Sequence, residues 1–219
     1  MSKRFLLTLL VIILGFGGIF WLTSDKKEDG STSAATVTNH VYGEGAKGIT
    51  LLEYGDFQCP ACYSYYPVVK AVVEKYKADI YFQFRHFPLV QIHQNAYASS
   101  RAAEAADKQG KFWEMYDKLY QNQDPTGQSG WVASSTPMTF FTQFATEIGL
   151  NADQFTTDYN SEEINDRISA DLKEAQNLKF NSTPTFLLDG VQIADPPSPN
   201  DQAGWEKLIE DAIAAKSAQ

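Results

Sequence analysis

The chain has only two cysteines, and they stand together as Cys59-Pro60-Ala61-Cys62. Two thiols at that spacing can form a reversible disulfide, supply half of a metal site, or sit inertly in a core. A structural zinc site takes four ligands. The only histidines, His40, His86 and His93, are scattered in the sequence without paired metal-ligand spacing. Plain core thiols fit poorly at a strand-to-helix junction with proline between them, a place that favours reactive cysteines. The redox pair is therefore the expected chemistry, with no metal and no other cofactor. At a helix N-terminus the unpaired N–H groups and the dipole favour an anion, so Cys59 is the expected nucleophile with a lowered pKa. Cys62, one turn further in, is the expected resolving thiol.

The elements that must hold this pair can be read from the hydrophobic pattern. Ile49 to Tyr54 reads as a short apolar strand leading into the cysteines, and Pro60 suits the first turn of a helix. That helix should run to Lys77 on the apolar face of Val68, Val69, Val72, Val73 and Tyr76, with Pro67 marking a kink or a restart. A strand over Ile80–Arg85 completes a βαβ unit, whose strands should be parallel and whose crossover right-handed. From His93 to Leu178 the pattern is mostly helical and looks inserted. Thr185–Leu188, Asp189-Gly190 and Val191–Ala194 read as a hairpin, because Asp-Gly favours a type I′ turn. A last helix is expected from about Gln202 to Lys216. Asp124–Thr136 and the proline-rich Asp195–Asn200 read as surface loops.

The N-terminus adds a second prediction. Phe5 to Leu22 is uncharged, follows Lys3 and Arg4, and precedes a polar stretch. As a helix it would span about 27 Å, close to a hydrocarbon core of about 30 Å. A cleaved signal has a shorter apolar core of about 7 to 15 residues, so an uncleaved anchor is expected. Basic residues before the run put the N-terminus in the cytoplasm and the rest outside, as a single-pass protein of the cell membrane with an extracytoplasmic working domain. All 27 acidic residues follow the run, and the formal net charge of the chain is −9, which disfavours nucleic acid as a partner. Residues 23–47 read as a flexible linker.

The run Glu53-Tyr54-Gly55-Asp56-Phe57-Gln58-Cys59-Pro60-Ala61-Cys62 resembles the active-site strand and turn of DsbA-like oxidoreductases in the thioredoxin superfamily. Phe84-Arg85-His86-Phe87-Pro88-Leu89 resembles that family's second strand and its exit. Ala102 to Lys118, with Gln109-Gly110-Lys111-Phe112-Trp113, resembles its helical insertion, and Ser182-Thr183-Pro184-Thr185-Phe186 its cis-proline loop. The resemblance covers about residues 41 to 215 in order. It implies an α/β thioredoxin-like fold with an inserted helical subdomain, preceded by one transmembrane helix. The partition that follows is anchor 1–22, linker 23–47, thioredoxin-like domain 48–92 with 179–219, and helical insertion 93–178.

By that likeness Pro184 would be cis beside the cysteines, and Pro60, Ala61, Thr183 and Pro184 would touch an extended substrate peptide. Without the likeness a trans Pro184 starting a strand would be the expectation, since only about 5% of X-Pro bonds are cis. Glu53 matches the family's buried acid, which implies a proton acceptor for Cys62; its other reading is an exposed strand residue. His86 and His93 read as structural, and Tyr63, Tyr65 and Tyr66 as packing residues. Two positions depart from the pattern: Ser182 stands where many relatives have glycine, and Ala61 where strong oxidants often carry a histidine that helps hold the thiolate. The implied activity is disulfide formation in reduced or unfolded exported proteins, with a membrane redox partner for reoxidation. A disulfide reductase or isomerase, or a tethered peptide-binding, chaperone-like module, are the alternatives.

Overall fold

The computed structural model describes residues 36–218, so the expected anchor and most of the expected linker lie outside it. Among the described residues no helix is long and apolar enough to cross a membrane.

Ile49–Gly55 forms strand β2 and is buried along nearly its whole length, as a strand covered on both faces must be. It therefore lies at the centre of the sheet. Helix α1 (Pro60–Tyr76) carries the chain over to β3 (Ile80–His86), which pairs parallel with β2 from Ile49 opposite Ile80 to Gly55 opposite His86. On the other side of β2 runs antiparallel β4 (Thr185–Leu188), joined to the two-residue β5 (Val191–Gln192) through Asp189 and Gly190, both at positive φ as a type I′ turn requires. The sheet is closed on its far edge by β1 (His40–Tyr42), antiparallel to β3, giving the order β1-β3-β2-β4-β5.

Strand β1 corrects the sequence reading, which ended the linker at residue 47. Three residues are too short for a period-2 pattern to show, and His40 and Tyr42 do not read as apolar anchors. Pro67 does not restart the helix: α1 runs through it without interruption. A lost N–H on one turn is tolerated where Tyr66, Val68, Val69, Val72 and Val73 are all buried around it.

The helical block comprises α2 (Ala96–Asp107), α3 (Phe112–Gln121), α4 (Gly130–Ala133), α5 (Met138–Glu147), α6 (Ala152–Tyr159) and α7 (Glu162–Asn177). It shares one apolar core with the sheet. Tyr116 and Tyr120 of α3 bring their rings to 5.7 and 5.2 Å from Phe57, the residue two before Cys59, and Tyr120 stacks on Tyr66 of α1 at 5.0 Å. Helix α4 lies inside the stretch expected to be a surface loop, and its Trp131 is fully buried with the indole donating to Leu119 O. Trp131 and Val132, adjacent and buried amid Gly, Ser and Thr, anchor a stretch that composition alone marked as a surface loop. Helix α8 (Gln202–Ser217) covers the other side of α1, where Trp205 meets Phe186 of β4 edge-on at 4.9 Å.

Gly55 ends β2 where the chain must turn toward the cysteines. A Cβ there would lie 2.3 Å from the Phe84 ring and 3.0 Å from Glu53 Oε1. Gly55→Ala is therefore expected to destabilise the fold by about 1–3 kcal/mol through overpacking. In urea this would be read as a lower midpoint at unchanged slope.

Candidate active site

Between β2 and α1 the chain crosses the sheet end in a turn fixed by buried polar side chains. Asp56 is completely buried. Its carboxylate accepts the Gln58 N–H (2.8 Å), the Leu89 N–H (3.0 Å) and His93 Nδ1 (2.6 Å), and its carbonyl accepts the Cys59 N–H (3.0 Å). Gln123, at the end of α3, donates through Nε2 to the Phe57 and Cys59 carbonyls. The Gln58 amide takes the Asn95 N–H at 2.6 Å and donates to Val132 O at 3.0 Å. Gln123 thus satisfies carbonyls that the tight turn cannot pair within itself, and the turn's Asp56 and Gln58 side chains in return satisfy backbone groups of Leu89, Asn95 and Val132.

Cys59 is the N-cap residue of α1 and Pro60 occupies the first turn, so the amides of Ala61 and Cys62 point back at the Cys59 sulfur. Both cysteines are thiols in this structure. Cys59 keeps 6% exposure while Cys62 keeps none, so an incoming sulfur can reach only the first. The Cys59 thiol is drawn down to about 6, chiefly by the hydrogen bond from the Cys62 thiol, against the opposing effect of burial and with help from Thr183 and the two amides. The Cys62 thiol moves the other way, pushed well above its ordinary value by burial first and then by the Cys59 and Glu53 charges. The largest stabiliser of the Cys59 thiolate is thus its partner thiol, with the helix-end amides that sequence reasoning invoked in a supporting place.

The Thr183–Pro184 peptide is cis, and Cys59 Sγ lies 3.5 Å from the Thr183 carbonyl oxygen. Glu53 sits on β2 opposite Phe84 and Phe186 with 2% exposure. Burial, and then the Cys59 charge, push its carboxyl up to about 8, with the Tyr116 hydroxyl pulling the other way. The structure therefore gathers Cys59, Cys62, Pro60, Ala61, Thr183, Pro184 and Glu53 at one end of the sheet. Beside them opens a groove of about 370 Å³ lined by Gln58, Pro60, Ile92, His93 and the 124–127 loop, with Ile92 72% exposed at its lip.

The histidines, scattered in sequence, are not scattered in space. His40 of β1 and His86 of β3 converge on Glu104 of α2, their ligand atoms within 4.8 Å of one another and all three residues buried. Glu104 Oε1 accepts from both imidazole Nε2 atoms, at 2.8 Å for His86, while Arg167 Nε stands 3.0 Å from Oε2 and His40 Nδ1 faces Asp107 at 3.3 Å. Burial favours the neutral acid, yet the His40 and His86 bonds more than offset it and hold Glu104 well below the usual carboxylate range. The three side chains, with Arg167 and Asp107, form a buried polar cluster that ties β1 and β3 to α2.

Sequence reasoning missed Asp56, Gln123, Asn95 and His93 as site-building residues. Asp56 lay inside the motif, three residues before Cys59. The others come from helices and loops remote in sequence, and only their side-chain hydrogen bonds reveal them.

A thioredoxin family profile matches residues 35–211. A Na(+)/H(+) antiporter NhaA 1 of Mycolicibacterium vanbaalenii is 32% identical over 160 residues, covering 72% of this chain but 24% of the antiporter. The chain therefore spans about a quarter of that relative. A probable disulfide bond formation protein D of Bacillus cereus is 29% identical over 193 residues, 85% of this chain and 87% of the relative. Among solved structures, BdbD from Bacillus subtilis superposes with a TM-score of 0.67 over 83% of this chain and 98% of its own, at 20% identity, a likeness of fold. With the profile spanning most of the chain and the paired cysteines at the strand-to-helix turn, the protein belongs to the thioredoxin family.

Proposed function

We propose that the chain is a thiol-disulfide oxidoreductase that introduces disulfides into reduced, unfolded exported proteins. The observation that carries this reading is the asymmetry of the pair: a low, reachable Cys59 beside a sealed Cys62 whose thiol resists ionisation. A stabilised thiolate stabilises the reduced form, which makes the oxidised form a stronger oxidant. The disulfide-formation protein of Bacillus cereus points the same way by its name.

In the proposed cycle a substrate thiolate attacks Cys59 Sγ of the Cys59–Cys62 disulfide, and Cys62 leaves with the bonding electron pair. A bare thiolate at Cys62 is strongly disfavoured by burial, so it must take a proton as it leaves. Glu53, a neutral acid at pH 7, supplies that proton, and it accepts one from Cys62 when the pair is reoxidised. A second substrate thiolate then attacks the substrate sulfur of the mixed disulfide and releases Cys59. The substrate loses two electrons and two protons: the pair takes both electrons, Cys62 takes the proton from Glu53, Cys59 leaves as a thiolate, and the substrate's protons pass to the medium. Thr183 and Pro184, across from Cys59, with Pro60 and Ala61, would hold the substrate backbone, and the exposed Ile92 would lie against its apolar side chains.

The uncharged run Phe5–Leu22 supports tethering to the outer face of a membrane, where a membrane partner would reoxidise the pair. The test is stoichiometric oxidation of a reduced, unfolded protein by the oxidised full chain. Loss of substrate thiols matched by new thiols on the chain supports the reading, and unchanged substrate thiols would end it.

A further inference from the structure

Neither Pro60 nor Ala61 offers the thiolate a side-chain donor or a charge, yet a third residue reaches the site from outside the helix. His93 follows the Pro88–Ile92 loop, and its imidazole Nδ1 lies 2.6 Å from Asp56 Oδ2. Asp56 is fully buried and already accepts two backbone N–H groups, so water disperses little of its charge. Held through Nδ1, the ring lines the groove shared with Gln58 and Pro60, at the mouth of the cysteine turn. Among the described residues the charged groups that bear on it are Asp56, which it bonds, Asp124 from the loop across the groove, and the charge of Cys59 at the start of α1, next to the Pro60 that lines the groove.

We propose that Asp56 keeps His93 as an imidazolium whose charge stabilises the Cys59 thiolate, so that His93 tunes the oxidising power of the pair as a positioning residue. The inference rests on the oxidoreductase reading. Asp56 first, and the Cys59 charge after it, raise the His93 imidazole above its ordinary value. Such coupling is reciprocal: whatever the thiolate gives to the imidazolium, the imidazolium returns to the thiolate. The share is smaller than that of the Cys62 thiol, which leads the stabilisation of Cys59. As pH rises through the His93 pKa the cation is lost, and with it this part of the thiolate's stability.

The experiment follows alkylation of Cys59 by iodoacetamide against pH on the reduced full chain, and the equilibrium of the pair with glutathione, for wild type, His93→Gln and His93→Lys. Cys62 is sealed, so the rate reads Cys59. In His93→Gln the alkylation midpoint should rise by about half to one pH unit. The pair should also become three- to tenfold easier to oxidise, about 15 to 30 mV in a two-electron couple. His93→Lys, with a charge that persists to high pH, should recover most of both shifts. An unmoved midpoint in His93→Gln, or equal shifts in the Gln and Lys variants, would overturn the proposal. The two ideas separate cleanly: a midpoint that depends on His93 in a chain inert toward reduced proteins would sink the oxidoreductase reading alone. Working exchange with an unmoved midpoint would sink the role of His93 alone.

Discussion

Cys59→Ser is expected to abolish thiol-disulfide exchange, while Cys62→Ser should accumulate mixed disulfides with substrate. The two variants differ because the structure makes the two sulfurs different. Cys59 is the only one an incoming thiolate can approach, and its low pKa makes it both the good leaving group and the sulfur held as thiolate at neutral pH. Remove it, and Cys62 remains behind the helix start with no exposure and a thiol that burial pushes above its ordinary pKa. Remove Cys62 instead, and Cys59 can still enter a mixed disulfide with an oxidised substrate, but the internal thiol that would attack Cys59 and reverse it is gone. A drop of about a thousandfold or more in the exchange rate is expected for Cys59→Ser, since thiolate attack has no hydroxyl counterpart. Gel mobility under non-reducing conditions checks both. Turnover by Cys59→Ser would contradict the role assignment, and full substrate retention by the double variant would favour the peptide-binding alternative.

Glu53→Gln is expected to stabilise the fold at neutral pH and slow the chemistry together. The Glu53 carboxyl stands at about 8 in the folded chain against an ordinary 4.5, so the native state binds its proton more tightly than the unfolded state does. Stability from this group is thus fully present below the ordinary value, falls as pH rises, and is lost once pH passes the folded value. At pH 7 the wild type should have lost on the order of 3 kcal/mol that the glutamine variant retains. The difference should shrink toward zero near pH 4 and level off above pH 8. Glutamine cannot carry the Cys62 proton, so exchange should fall by roughly 10²-fold or more, within the usual range for a lost general acid–base. Urea titrations at several pH values, paired with stopped-flow exchange, separate the two effects. A glutamine variant that is less stable at pH 7 would contradict the burial argument.

The βαβ unit, the hairpin and the last helix were legible because each rests on local signals: a buried apolar strand, Pro60 at a helix start, an Asp-Gly turn and a period of 3.6. Cys59 and Cys62 were legible because thiols at that spacing are rare and chemically loud. The resemblance supplied Glu53, Thr183 and Pro184, which local patterns could not. What stayed hidden was tertiary. β1 has too few residues to show a period, α4 is anchored by just two apolar side chains, Trp131 and Val132, and Asp56 reaches His93 across 37 residues of chain. His40, His86 and Glu104 meet only because β1 and β3 pair in register beside α2. Such contacts leave no periodicity to read.

The most direct measurement is the reduction potential of the Cys59–Cys62 pair in the full chain, by equilibration in glutathione buffers at pH 7. The stabilised Cys59 thiolate predicts a value well above the thioredoxin level of about −270 mV, toward the strongly oxidising end near about −120 mV. A value at or below the thioredoxin level would contradict disulfide formation and make the chain a reductase.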